Sequence, residues 1–188
     1  MMAFGRPKKK PEPLNESGLY DFAVKALGRQ MRSESELRRL MSGRAEQGSE
    51  GEEVIAKVVA RLREYGYLDD QSFAETYARL RQQNEKLGQR RVKQALSQKG
   101  VSAEIVRETV EARYADTNEE ALAREHLERK RIRKPENPKD AARVMRRLVT
   151  AGFSTGVIYK ILRQWDVPDE ALAALENLDN LDEEAHEE

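Results

Sequence analysis

The chain has no cysteine, two histidines, one tryptophan and six prolines in 188 residues. Without cysteine there is no disulfide framework and no thiolate metal site. The histidines, His126 and His186, stand far apart, so no histidine-based metal motif or nucleophilic pair is spelled out. No apolar run approaches the ~18 residues of a membrane span, and no signal-peptide pattern opens the chain. Glycine-rich phosphate loops and nucleophile motifs are missing as well. The expectation is a soluble cytoplasmic protein with no cofactor, no metal and no catalytic residue. Asp69-Asp70 could be taken for paired carboxylates, but their place just before Phe73 fits a helix N-cap better.

What the chain does have is charge. Hydrophobic residues make up 38% and charged residues 36%, a supply that suits thin layers better than one thick core. The formal net charge of zero hides a strong asymmetry. Arg6, Lys8, Lys9 and Lys10 open the chain without an acid. Residues 124–147 carry ten Lys/Arg against four acids, and from Asp166 onward there are ten acids and no Lys or Arg. A basic body with an acidic tail points to a polyanionic or acidic-surfaced partner. The plain alternative for any one cluster is a solvated helix face.

Strand-type alternation is absent, and Ala, Leu, Glu, Arg, Lys and Gln dominate, so the pattern predicts helices nearly throughout. The organisation repeats. Arg91–Glu111 lies over Arg143–Arg163, matching Val92 with Val144, Leu96 with Leu148, Gly100 with Gly152 and Ser102 with Ser154. A weaker copy upstream matches Leu37 and Met41 to Val92 and Leu96, and Val54, Ile55 and Val59 to Ile105, Val106 and Val110. A further helix precedes each copy, over Leu19–Gln30, Asp70–Asn84 and Asn118–Arg133. The expected architecture is all-α, an elongated array of three tandem three-helix, helix-turn-helix-like repeats over 17–66, 67–116 and 117–166. A basic arm (1–16) precedes them, and a short helix with an acidic tail (167–188) follows.

Capping chemistry marks the joints. Ser33 with Glu36 and Thr117 with Glu120 have capping-box spacing, and Asn137-Pro138 reads as an N-cap followed by proline at the first helical position. Gly100 reads as a left-handed helix stop and Ser102 as the next helix start, an arrangement repeated at Gly152 and Ser154.

The cations are the candidate binding residues, because phosphate contacts need them. They are Arg79, Arg81, Lys86, Arg90, Arg91, Lys93 and Lys99 in the second repeat, and Arg129, Lys130, Arg131, Arg133, Lys134, Arg143, Arg146 and Arg147 in the third. Base reading by a helix-turn-helix fits poorly. The second repeat's last helix carries Glu104, Glu108 and Glu111, which phosphates would repel. Aromatics such as Phe73, Tyr77, Phe153 and Trp165 lie on apolar stripes and read as core.

The stretches "YGYLDDQSFAETYARLR" and "LGQRRVKQALSQKGVS" resemble the RecX family of regulators of the RecA recombinase. The family pattern falls on Gly66, Tyr67, Leu68, Asp69, Asp70, Phe73, Ala74, Gly88, Val92, Leu96, Lys99, Gly100 and Val101, and "RRLVTAGFSTGVIYKIL" around Gly152 fits its C-terminal part. The resemblance covers roughly Leu19 to Trp165 and departs at Ala95, where the pattern carries an acid. It implies a non-enzymatic monomer that binds the RecA filament on single-stranded DNA, with weak DNA binding of its own. The implied outcome is inhibition of ATP hydrolysis, strand exchange and repressor cleavage, and so of recombination and the SOS response. A sequence-independent DNA-binding protein is the alternative.

Overall fold

The computed structural model describes residues 12–167. The amino-terminal arm to residue 11 and the acidic segment from residue 168, His186 included, lie outside the described residues. Within them the chain forms nine α-helices and no strand. These are α1 (Glu16–Arg29), α2 (Glu34–Ser42), α3 (Ser49–Glu64), α4 (Asp70–Glu85), α5 (Gln89–Gln98), α6 (Ala103–Tyr114), α7 (Glu119–Arg129), α8 (Pro138–Thr150) and α9 (Thr155–Gln164). They divide between two compact units. One runs to Phe73 and includes Lys99–Val101; the other comprises Ala74–Gln98 and the chain from Ser102 onward.

In the first unit, α1, α2 and α3 pack on one another. Leu19 and Ala23, Leu37 and Met41, and Ile55, Val58, Val59 and Leu62 come from their apolar stripes, and Leu68 closes the cluster. Each buried large aliphatic side chain contributes roughly 1.5–3 kcal/mol. Ser33 and Glu36 form the expected capping box. The adjacent carboxylates divide their work. Asp69 caps α4 through the Gln71 N–H (2.9 Å) and the Ser72 hydroxyl (2.6 Å). Asp70 turns back to accept from the Glu34 N–H at the start of α2 (2.7 Å). Burial raises the Asp70 carboxyl above its usual range, while the Ser72 hydroxyl holds Asp69 below. Phe73 is buried beside this turn, with the Lys99 ammonium 5.9 Å from its ring centre.

In the second unit α5 packs on α6, and α7 and α8 pack on α9. Val92, Leu96, Val106, Val110, Val144, Leu148, Phe153, Ile158 and Leu162 are buried, as the repeat alignment requires. Ser102 caps α6, and Asn137 caps α8 with Pro138 at its first turn.

Three local expectations change. The helix placed over Asn118–Arg133 stops at Arg129, because Arg131 takes a left-handed backbone (φ 53°). The Arg131 N–H bonds the Glu128 carbonyl and the Ile132 N–H bonds that of Leu127, which ends the helix four residues early. The cap of α7 is Asn118, not Thr117, whose hydroxyl accepts from Gln82 instead (2.8 Å). Ser154 makes no side-chain cap bond, because its hydroxyl and its N–H both donate to Glu119 (2.7 and 2.6 Å).

The repeated corner has a second role besides stopping a helix. In the first unit the Ser33 hydroxyl donates to the Lys99 carbonyl (2.5 Å), and a Cβ on Gly100 would strike Ser35. In the second unit the Gly88 N–H donates to the Ala151 carbonyl (2.8 Å), and a Cβ on Gly152 would strike the Arg91 backbone. Ser33 and Gly88 are equivalent in the repeat, as are Lys99 and Ala151. One joint is therefore built twice: the glycine corner after a middle helix seats on the N-terminus of the preceding middle helix. Gly66 ends α3 in the same left-handed conformation (φ 69°), but a Cβ there would meet open space.

Candidate anion-binding groove

The second joint sets the geometry of a basic groove. Arg143, Arg146, Arg147 and Thr150 recur at helical spacing on α8 and form one stripe, while Ala141, Val144, Met145 and Leu148 turn into the core. Facing the stripe, α5 contributes Arg91 and Ala95, α4 contributes Tyr77, Arg81 and Glu85, α7 contributes His126, and Lys130 comes from the cap that follows it. Together with Leu87, Ile132 and Ala151 they line a cavity of about 610 Å³. A second cavity, about 510 Å³, runs along the segment from Lys130 to Glu136 and is shared at Lys130, Ile132, Arg143 and Arg147.

The early end of α7 matters here. An α7 continued to Arg133 would have spread Arg131, Arg133 and Lys134 around a helix. The left-handed turn at Arg131 instead brings all three to the second cavity.

Nine of the fifteen candidate cations line this groove: Arg81, Arg91, Lys130, Arg131, Arg133, Lys134, Arg143, Arg146 and Arg147. Arg79, Arg90, Lys93 and Arg129 are exposed and line neither cavity. Lys86 pairs with Glu125 (2.6 Å), and Lys99 pairs with Glu36 in the first unit (2.6 Å).

Three of the nine are neutralised locally. Arg81 pairs with Glu85 and stacks over the Tyr77 ring (4.7 Å), Arg143 pairs with Asp140 (2.8 Å), and Lys134 pairs with Asp166 (2.7 Å). Arg91, Lys130, Arg131, Arg133, Arg146 and Arg147 make no ion pair among the described residues. Like charges this crowded repel, so an anion seated among them relieves repulsion as well as making contacts. Among the described residues Glu85 is the one carboxylate on the wall of the first cavity. Ala95, where the family pattern would set another, also lines it.

Around the groove the polar groups are structural. The Tyr114 hydroxyl donates to the Leu87 carbonyl (2.8 Å), and burial raises its pKa. The buried His126 ring donates from Nδ1 to the Glu85 carbonyl (3.1 Å) and meets Phe153 edge-on (5.8 Å). Burial, with Lys130 and Arg129 nearby, holds His126 below the usual histidine range. Glu120 ties α7 to α9 by accepting from Lys160 (2.7 Å), and Lys160 and Arg124 hold it down at about 2. Among the described residues no His/Cys/Asp/Glu cluster could hold a metal ion, and no helix is long and apolar enough to cross a membrane.

Such a fold defines an all-helical protein of three-helix repeats. A family model described as the second three-helix domain of RecX matches residues 69–110. The regulatory protein RecX of Deinococcus radiodurans is 32% identical over 162 residues, covering 85% of this chain and 72% of that protein. The RecX of Cronobacter sakazakii is 35% identical over 159 residues, covering 80% and 93%. The chain belongs to the RecX family of regulatory proteins. Its fold is also similar to the crystal structure of RecX from Lactobacillus salivarius, with a TM-score of 0.59 at 23% identity over 80% of this chain and 96% of that one.

Proposed function

We propose that the protein is a non-enzymatic, monomeric, cytoplasmic regulator of a RecA-type recombinase. It binds the recombinase filament on single-stranded DNA and inhibits its ATP hydrolysis, strand exchange and stimulation of repressor cleavage. Membership of the RecX family supports the regulatory reading. The observation that carries the binding mode is the groove of the second unit, with its six cations free of ion pairs among the described residues. A filament on single-stranded DNA offers a row of phosphates, which such a groove suits. If all six cations contact phosphates, affinity falls with salt at a log–log slope of about −4, from roughly −0.7 per contact on a single strand.

The test is the DNA-dependent ATPase of the cognate recombinase titrated with this protein. Inhibition with filament binding is expected; no inhibition at any stoichiometry overturns the reading. Arginines with no ion pair among the described residues would also serve a protein that coats DNA by charge alone. Tight binding to naked DNA with no preference for the filament would favour that second reading.

A further inference from the structure

A row of phosphates needs only a flat basic surface, yet the first cavity is a recess of about 610 Å³ with substantial apolar walls. That volume lies within the ~300–1,000 Å³ of small-molecule sites. Between its cations it is lined by Tyr77, Leu87, Ala95 and Ile132. Glu85 on its wall is held by Arg81, whose guanidinium also stacks on Tyr77. The recess therefore offers a ring-sized apolar surface beside the cations Arg91, Arg146, Arg147 and Lys130, none of them ion-paired among the described residues. A complementary ligand carries a flat, weakly polar ring and an anion a few ångströms apart.

We infer that this cavity takes one unstacked nucleotide of a single strand. Its base rests against Tyr77, Ala95 and Ile132, and its flanking phosphates lie on Arg91, Arg146 and Arg147. A duplex presents the same phosphates, but its bases are stacked and paired, and extruding one carries a cost that a single strand avoids. Ala95 is essential to the fit. A longer side chain there would occupy the recess, and an acid would put a second carboxylate among the arginines. The inference rests on the groove binding polyanions and adds the form of nucleic acid it selects.

The experiment measures binding of the full chain, at one fixed salt concentration, to three ligands of equal length: a single strand, the same strand made abasic throughout, and the duplex. Stacking of a base on protein side chains is worth enough that the abasic strand should bind about five- to a hundred-fold more weakly. Ala95→Leu, which fills the recess with a side chain that offers no stacking face, should narrow the gap between the normal and the abasic strand. Equal affinity of wild-type protein for the normal and abasic strands overturns the inference, whatever the variant does. Arg146→Glu with Arg147→Glu separates the two levels of the account. If that double variant weakens all three ligands alike while normal and abasic strands remain equal, the groove reading stands and the base recess falls. If it weakens none, the groove reading itself falls.

Discussion

Replacing three glycines one at a time by alanine separates backbone strain from joint packing. At Gly66 an alanine meets open space but must hold φ near 69°, at a cost of about 1–2 kcal/mol for a left-handed L-residue. At Gly152 the same strain (φ 89°) is joined by a Cβ driven into the backbone of Arg91, which cannot rotate away. Overpacking of this kind adds about 1–3 kcal/mol, for a total of roughly 2–5 kcal/mol. At Gly88 the clash acts without a positive φ, because the new Cβ meets the Gly152 carbonyl and the Phe153 nitrogen, so about 1–3 kcal/mol is expected. For a chain of this size each kcal/mol moves the melting temperature by roughly 2–4 °C. Thermal melts followed by circular dichroism should rank Gly152→Ala as the most damaging, with Gly88→Ala and Gly66→Ala both milder. The Gly88→Ala, Gly152→Ala double variant should cost less than the sum, because both residues belong to one joint. A Gly152→Ala variant no less stable than Gly66→Ala would refute the joint as described.

Three further outcomes follow from single residues. Arg131→Gly removes a left-handed arginine and should stabilise the chain by about 1 kcal/mol in the same melts, while making the salt slope of strand binding shallower by about 0.7. Ser33→Ala loses the α2 cap and the bond to the Lys99 carbonyl together, and should lower stability by about 2 kcal/mol in urea unfolding. The fold holds the His126 pKa down by burial, whereas an unfolded histidine takes up a proton near pH 6.5. Stability should therefore be level above about pH 7 and fall as pH drops through about 6.5, by up to about 1.4 kcal/mol per pH unit. His126→Gln should flatten that fall in urea titrations at pH 5 to 7.5.

The repeats were legible because hydrophobic periodicity and glycine spacing are local signals. Val92, Leu96, Val144 and Leu148 are buried where the alignment of the two copies puts them. The corners at Gly100 and Gly152 could be read as helix stops from one stretch of chain, but their seating could not. Nothing near Gly152 in sequence names Gly88 or Arg91 as its neighbour. Ser154 shows how a long-range contact overrides a local motif: its hydroxyl has a cap's spacing but is taken by Glu119, 35 residues away. Arg131 shows the reverse limit, since an arginine carries no propensity for the left-handed turn that ends α7. The site was legible as a list of cations and no further. Which of them converge depends on that turn and on the joint that holds α5 against the end of α8. The apolar wall residues Tyr77, Ala95 and Ile132 carry no charge signal, and on helical stripes they read as ordinary packing.

The recombinase ATPase, titrated with wild-type protein and with two double variants, shows whether the groove carries the inhibition. Arg146→Glu with Arg147→Glu reverses two exposed cations inside the groove, and Arg79→Glu with Lys93→Glu reverses two exposed cations outside both cavities. Each pair changes the net charge by the same amount, so a general charge effect weakens both alike. Inhibition by the groove variant should fall at least tenfold in potency, while the outer variant should stay within about twofold to threefold of wild type. Equal loss in the two variants, or full inhibition by the groove variant, would contradict that role for the groove.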